Sequence, residues 1–96
     1  MKSQILHLSL EREWFDEIAR GTKNKEYRKY KPYWKTRLEG RQYDVVKFRN
    51  GYGRNVPEMV VEFRGLTRAG NSRNADYVIK LGRILSLKRW PTKDKY

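Results

Sequence analysis

Apolar residues at every second position open the chain: Leu6, Leu8 and Leu10 fall on one face of an extended segment over residues 4–10, and Ile5, His7 and Ser9 fall on the other. That alternation predicts a strand, with Ile5 covered at the barrel end. The period then changes. Trp14, Phe15, Ile18 and Ala19 recur at helical spacing among Glu11, Arg12, Glu13, Asp16, Glu17 and Arg20, which predicts a short amphipathic helix. Ser9 or its neighbour is the expected cap, the acidic residues lie toward the start where the helix dipole favours them, and Gly21 is the stop. Residues 22–31 alternate again, so a short strand puts Glu26 and Arg28 on one face and Tyr27 on the other before Pro32 closes it. Tyr33, Trp34 and Leu38 give a second, shorter helical face ending at Glu39 and Gly40. Strands are predicted over residues 43–48 and over residues 59–63, the latter followed by Gly65. After a polar connection at residues 68–76, residues 77–90 form a long β-rich stretch, either one bent strand or two separated near Gly82.

The predicted order is therefore β, α, β, α, β, β, β. A parallel sheet needs a helix after each strand, and this order lacks them. The expected fold class is α+β, a small mixed β-barrel with two short flanking helices, because curling the sheet removes exposed edges and encloses a core. An open α+β sheet is the alternative. The 96 residues suit one domain over residues 1–96, since a chain of this size buries only about 60–65% of its unfolded surface and cannot divide that core.

Charge narrows the choice of partner. Lys and Arg number 23 against 11 Asp and Glu, a net charge of +12, so a polyanion is the expected partner, with nucleic acid ahead of an acidic protein or membrane surface. Between residues 23 and 54 lie eleven basic residues and only Glu26, Glu39 and Asp44 as acids, which makes the middle third the electrostatic focus. The same stretch carries Tyr27, Tyr30, Tyr33, Trp34, Tyr43, Phe48 and Tyr52, rings of the kind on which bases stack while cations hold phosphates. Trp34 and Phe48 are assigned to the core. The chain has no cysteine, so disulfides, thiolate catalysis and Cys-ligated zinc are excluded. Its apolar start is too short for a signal-peptide core or a membrane span, and a soluble cytoplasmic protein is expected.

Two clusters carry candidate chemistry. Lys23, Glu26 and Arg28 converge if the chain bends after Gly21. Cations beside Glu26 should favour its ionised form and make it an acceptor, not an acid. Lys23 would serve as a base only with its pKa lowered by desolvation or by Arg28. In the loop over residues 49–55, Asn50-Gly51 favours positive φ at both positions, Gly51 and Gly53 let the backbone approach a ligand, Arg49 or Arg54 can grip a phosphate, Asn50 can read a base edge and Tyr52 can stack. His7 reads as a structural imidazole. No metal-ligand cluster is present in the sequence pattern, and no cofactor is implied.

The element Gly21-Thr22-Lys23-Asn24-Lys25-Glu26-Tyr27-Arg28, with the N-terminal apolar strand, the helix ending at Gly21 and the later Val60-Val61-Glu62-Phe63, resembles the ASCH domain family over almost the whole chain. Residues 35–40 and 48–53 look like a subgroup of small members. The resemblance implies a PUA-like β-barrel with a cleft for RNA or a modified nucleoside. Some similar proteins hydrolyse the acetyl amide of N4-acetylcytidine with Lys, Thr and Glu, and nuclease activity has been proposed for others. By motif position Lys23 corresponds to the catalytic lysine and Arg28 to the following arginine. Glu26 stands where the amidohydrolase threonine would be, which removes the hydroxyl nucleophile, and Glu62 is a candidate later acid.

The leading expectation is an RNA-binding or nucleotide-binding domain in which Lys23, Tyr27, Arg28, Arg49, Asn50, Tyr52 and Arg54 form the interface, DNA remaining an admissible partner. The enzyme alternative assigns catalysis to Lys23, Glu26 and Arg28, acting on an acylated cytidine or on RNA phosphodiesters. A third reading is a basic module for an acidic protein. The oligomeric state is left open.

Overall fold

The computed structural model describes residues 4–71 and 74–90. Its elements run β1 (Ile5–Ser9), α1 (Arg12–Ala19), β2 (Lys25–Lys29), α2 (Pro32–Leu38), β3 (Val45–Arg49), β4 (Glu58–Ala69) and β5 (Asp76–Lys88). The five strands form one mixed sheet in the order β1-β3-β4-β5-β2, parallel only between β1 and β3. The order of elements is the one the hydrophobic pattern predicts.

Curvature comes from β4 and β5. Their register shifts at Val60/Val61, Val61/Phe63 and Phe63/Gly65, and such irregularities bend and over-twist the strand that carries them. Gly65, at φ 133°, supplies a backbone angle that a side-chain-bearing residue rarely adopts. The strand therefore runs on to Ala69, where Gly65 was expected to end it. Residues 77–90 are also settled: one strand, Asp76–Lys88, passes through Gly82 without a break. The result is a curled half-barrel with β1 and β2 as its unpaired edges, an open form of the closed barrel expected from the pattern.

Inside the curl, Leu6, Leu8 and Leu10 pack with Val46 and Phe48 of β3, Met59 and Val61 of β4, and Tyr77, Ile79 and Leu81 of β5. Phe15 and Ile18 cover this core from α1, and Leu38 does so from α2. Phe48 is fully buried, and Trp34 packs partly buried against the cluster. Ile5 is 39% exposed; it lies on the outer face opposite Val45, and no barrel end closes over it.

The helix ends decide where the next residues go. At the end of α1 the Thr22 amide donates to Glu17 and the Gly21 amide to Ile18, both at 3.0 Å, with Gly21 at φ 82°. This is the Schellman pattern, which satisfies terminal carbonyls and reverses the chain. The N-cap residue of α1 is Glu11, whose side chain makes no capping hydrogen bond, so neither Ser9 nor its neighbour Leu10 is the cap. In α2, Pro32 occupies the first turn, where its missing N–H costs nothing.

Candidate functional site: a cleft at the open seam

Register explains why a carboxylate and a guanidinium point inward. Glu26 pairs with Ile79 and Arg28 with Tyr77, and directly opposed residues of an antiparallel pair share a face. That face is the core face, because Ile79 and Tyr77 are fully buried. Glu26 is accordingly only 5% exposed, the one buried charged residue among those described.

Three groups meet there. Arg28 Nη1 lies 3.0 Å from Glu26 Oε2, and Lys23 Nζ lies 3.7 Å from Glu26 Oε1. The Schellman turn delivers Lys23 to this position, so the bend expected after Gly21 does bring the three together. Arg28 also donates from Nη2 to the Ser9 carbonyl at 3.1 Å, across the seam between the two edge strands. Its guanidinium lies 5.2 Å from the centre of the Trp34 ring. Nε of Arg28 is buried with no partner. Arg28 is thus committed to protein acceptors on both terminal nitrogens, which makes it a brace for Glu26 and for the seam.

The balance at Glu26 reverses the expectation drawn from charge alone. Burial pushes its carboxyl above the ordinary glutamate range, and the opposing fields of Arg28 and Lys23 do not cancel that push. Two cations beside a carboxylate favour its charged form, but removal from water disfavours it, and here removal from water is the larger effect. Glu26 is held closer to neutrality than an exposed glutamate, a property suited to moving a proton.

Above these groups lies a cleft of about 470 Å³ lined by Trp14, Lys23, Glu26, Tyr27, Arg28 and residues 9–11. Its volume falls in the range of small-molecule sites, about 300–1,000 Å³. The Lys23 ammonium lies 5.0 Å from the centre of the Trp14 ring and 5.3 Å from that of Tyr27, within the range of cation–π attraction. Trp14 and Tyr27 are 39% and 47% exposed, so both rings keep open surface at the rim.

Trp14 and residues 9–11 are site residues that the sequence reading missed. Trp14 belongs to the helical stripe by spacing, yet Phe15 and Ile18, with Ala19 beside them, fill the core-facing side and leave Trp14 39% exposed. Conversely, Arg49, Asn50, Tyr52 and Arg54 do not join this cleft. Asn50 donates from Nδ2 to the Leu10 carbonyl at 2.9 Å and from its amide to Pro57 at 3.0 Å, so its side-chain donor ties the loop down instead of reading a base. Positive φ occurs at Gly51 and Gly53 but not at Asn50, because the connection is a longer loop and not a two-residue hairpin turn. Arg49 Nη2 donates to the Gly53 carbonyl within the same loop. Tyr52 is 88% exposed, and Arg54 is exposed and outside the cleft wall.

Glu62, the candidate later acid, is also elsewhere. It accepts hydrogen bonds from Arg64 Nη2 and the Arg83 amide, both at 2.9 Å, which hold its carboxyl below the usual range. It does not line the cleft. Among the described residues no group of three or more His, Asp or Glu side chains could hold a metal ion, and no helix is long and apolar enough to cross a membrane. Comparison with protein-family models, with curated proteins and with solved structures returned no match for this chain.

Proposed function

We propose that the seam cleft binds a single nucleobase with its sugar and phosphate, making the protein an RNA-binding or nucleotide-binding domain. One observation carries this reading: an ammonium group stands between two partly exposed aromatic rings above a buried carboxylate. Planar rings offer stacking surface, Lys23 offers charge to a phosphate or a carbonyl, and Glu26 offers an acceptor for an exocyclic amine. The excess of 12 positive charges supports an anionic ligand. An ASCH-type, PUA-like assignment fits the same residues, since its Gly-x-Lys-x-x-Glu-x-Arg element supplies Lys23, Glu26 and Arg28. Amide chemical-shift mapping with cytidine monophosphate tests the proposal. Shifts should cluster on Trp14, Lys23 and Tyr27, and Lys23→Ala should remove them. Absence of shifts at low salt, or shifts indifferent to Lys23→Ala, would sink it.

The raised carboxyl of Glu26 beside Lys23 favours a second reading, hydrolysis of an acylated cytidine. In that reaction ionised Glu26 takes a proton from water, the hydroxide adds to the acetyl carbonyl, and Lys23 stabilises the oxyanion. The C–N bond then breaks as Glu26 returns the proton to the leaving amine, giving acetate and cytidine. Chromatography and mass spectrometry of N4-acetylcytidine incubated with the protein should show cytidine that Lys23→Ala and Glu26→Gln do not make. Equal product from Lys23→Ala would mark a contaminant and reject the reaction.

A further inference from the structure

Across residues 9–11 from the cleft lies another hollow, of about 410 Å³, lined by Ser9, Leu10, Glu11, Asn50, Gly51 and Tyr52. The two share Ser9, Leu10 and Glu11, so one ridge of chain is a wall of both. Tyr52 also borders a third hollow of about 270 Å³, where His7, Lys47 and Arg49 contribute the polar groups. The ring thus stands between the ridge and a basic depression.

Its support is firm. The amide and side chain of Asn50 fasten the start of the loop to Pro57 and Leu10, and Arg49 ties back to Gly53. Gly51 and Gly53 lie at φ 101° and 132°, angles that carry the chain around a tight tip. A ring 88% exposed on a braced loop covers no core, and ordering it beforehand reduces the entropy lost when something stacks on it.

We propose that Tyr52 and the basic hollow beside it form a second subsite for the same strand, so that the ligand of the seam cleft is single-stranded RNA and not a free nucleoside. This rests on the reading that a base occupies the cleft. The first base stacks on the open ring surface at the cleft rim, beside Lys23, the strand crosses the ridge, and the next base stacks on Tyr52. Its phosphate turns toward Lys47 and Arg49 and away from the exposed carboxylate of Glu11. Lys47 also pairs with Glu58 at 3.3 Å, which fixes its position and shares its charge.

Calorimetric titration of the whole chain with cytidine monophosphate and with oligocytidylates of increasing length tests this at low salt. Affinity should rise on the order of tenfold once a strand reaches the second subsite, as expected for one base stacked on one ring. Tyr52→Ala should remove most of the gain that the longer strands show over the mononucleotide. Lys47→Ala should weaken their binding and lower the salt slope by about one. Oligomers no tighter than the mononucleotide, a length gain undiminished by Tyr52→Ala, or equal affinity for a duplex would each overturn the second subsite. Mononucleotide binding that depends on Lys23 but gains nothing with length overturns this proposal alone. No binding by any of the probes overturns it together with the base-binding reading.

Discussion

Arg28 joins the two edges of the half-barrel by donating from Nη2 to the carbonyl of Ser9 at 3.1 Å, while its Nη1 holds Glu26. No ladder of backbone bonds links β1 to β2, so this guanidinium performs across the seam the task that strand pairing would perform in a closed barrel.

Arg28→Ala should destabilise the fold by about 2–4 kcal/mol in urea unfolding, slightly below the range for breaking a buried ion pair because Lys23 remains beside Glu26. Arg28→Lys should recover part of this, since one ammonium cannot serve both acceptors. A loss below about 0.5 kcal/mol for Arg28→Ala would show that the seam needs no clasp.

Glu26 should titrate above the ordinary glutamate value of 4.5, and further above it in Arg28→Ala, where an opposing positive field is gone. The folded state then binds more protons than the unfolded state between those two values. Stability from this group therefore declines as pH rises from about 4.5 to the raised midpoint. Asp16, Glu58 and Glu62 have lowered values and the opposite sign, losing stability as pH falls through them. Carboxyl carbon shifts across a pH series read the midpoint directly; a Glu26 midpoint below 4.5 contradicts the dominance of burial.

Tyr77, the register partner of Arg28, donates from its hydroxyl to Glu39 Oε2 at 2.5 Å, and burial with the adjacent carboxylate pushes the phenol up to about 12. In an ultraviolet titration the Tyr77 step should appear there, and Tyr77→Phe should delete it. The same variant should cost about 0.5–1.5 kcal/mol, the worth of one hydrogen bond whose other partner regains water.

Gly70 and Gly21 both hold positive φ, at 93° and 82°, but their surroundings differ. A Cβ at Gly70 would collide with the Asn74 carbonyl oxygen, whereas one at Gly21 meets nothing within 4 Å. Gly21→Ala should cost about 1–2 kcal/mol, the left-handed penalty alone. Gly70→Ala should cost more, because the obstacle is backbone. Thermal unfolding of the two variants gives the order; equal losses would show that the turn at Gly70 gives way freely.

What could be read from the sequence follows the range of the cause. Alternation fixes faces locally, so Leu6, Leu8 and Leu10 fall inside and Glu26 shares its face with Arg28. Gly21 signals a helix stop by itself, which is why Lys23 could be foreseen near Glu26. Burial is a property of the assembled fold. Counting charges around Glu26 therefore predicted the wrong direction for its proton, since the water removed by β5 and the half-barrel has no signature within residues 23–28. Long-range commitments were equally hidden: Asn50 is tied down by Leu10, 40 residues earlier, and β4 outruns Gly65 because β5 pairs with it on both sides of the bulge.

The pairing order also dictates a sequence of events during synthesis. β1 finds its neighbour only when Val45 and the residues after it exist, and β2 waits for residues 76–80. The β4–β5 hairpin is the local unit of the sheet, and it emerges last. On a ribosome that makes the chain from the N-terminus, β1 can therefore pair with β3 as soon as residues 45–49 exist, whereas β2 has no strand to join until residues 76–80 have followed. The cleft, whose walls come from residues 9–28, is then assembled in one late step by strands that arrive after it.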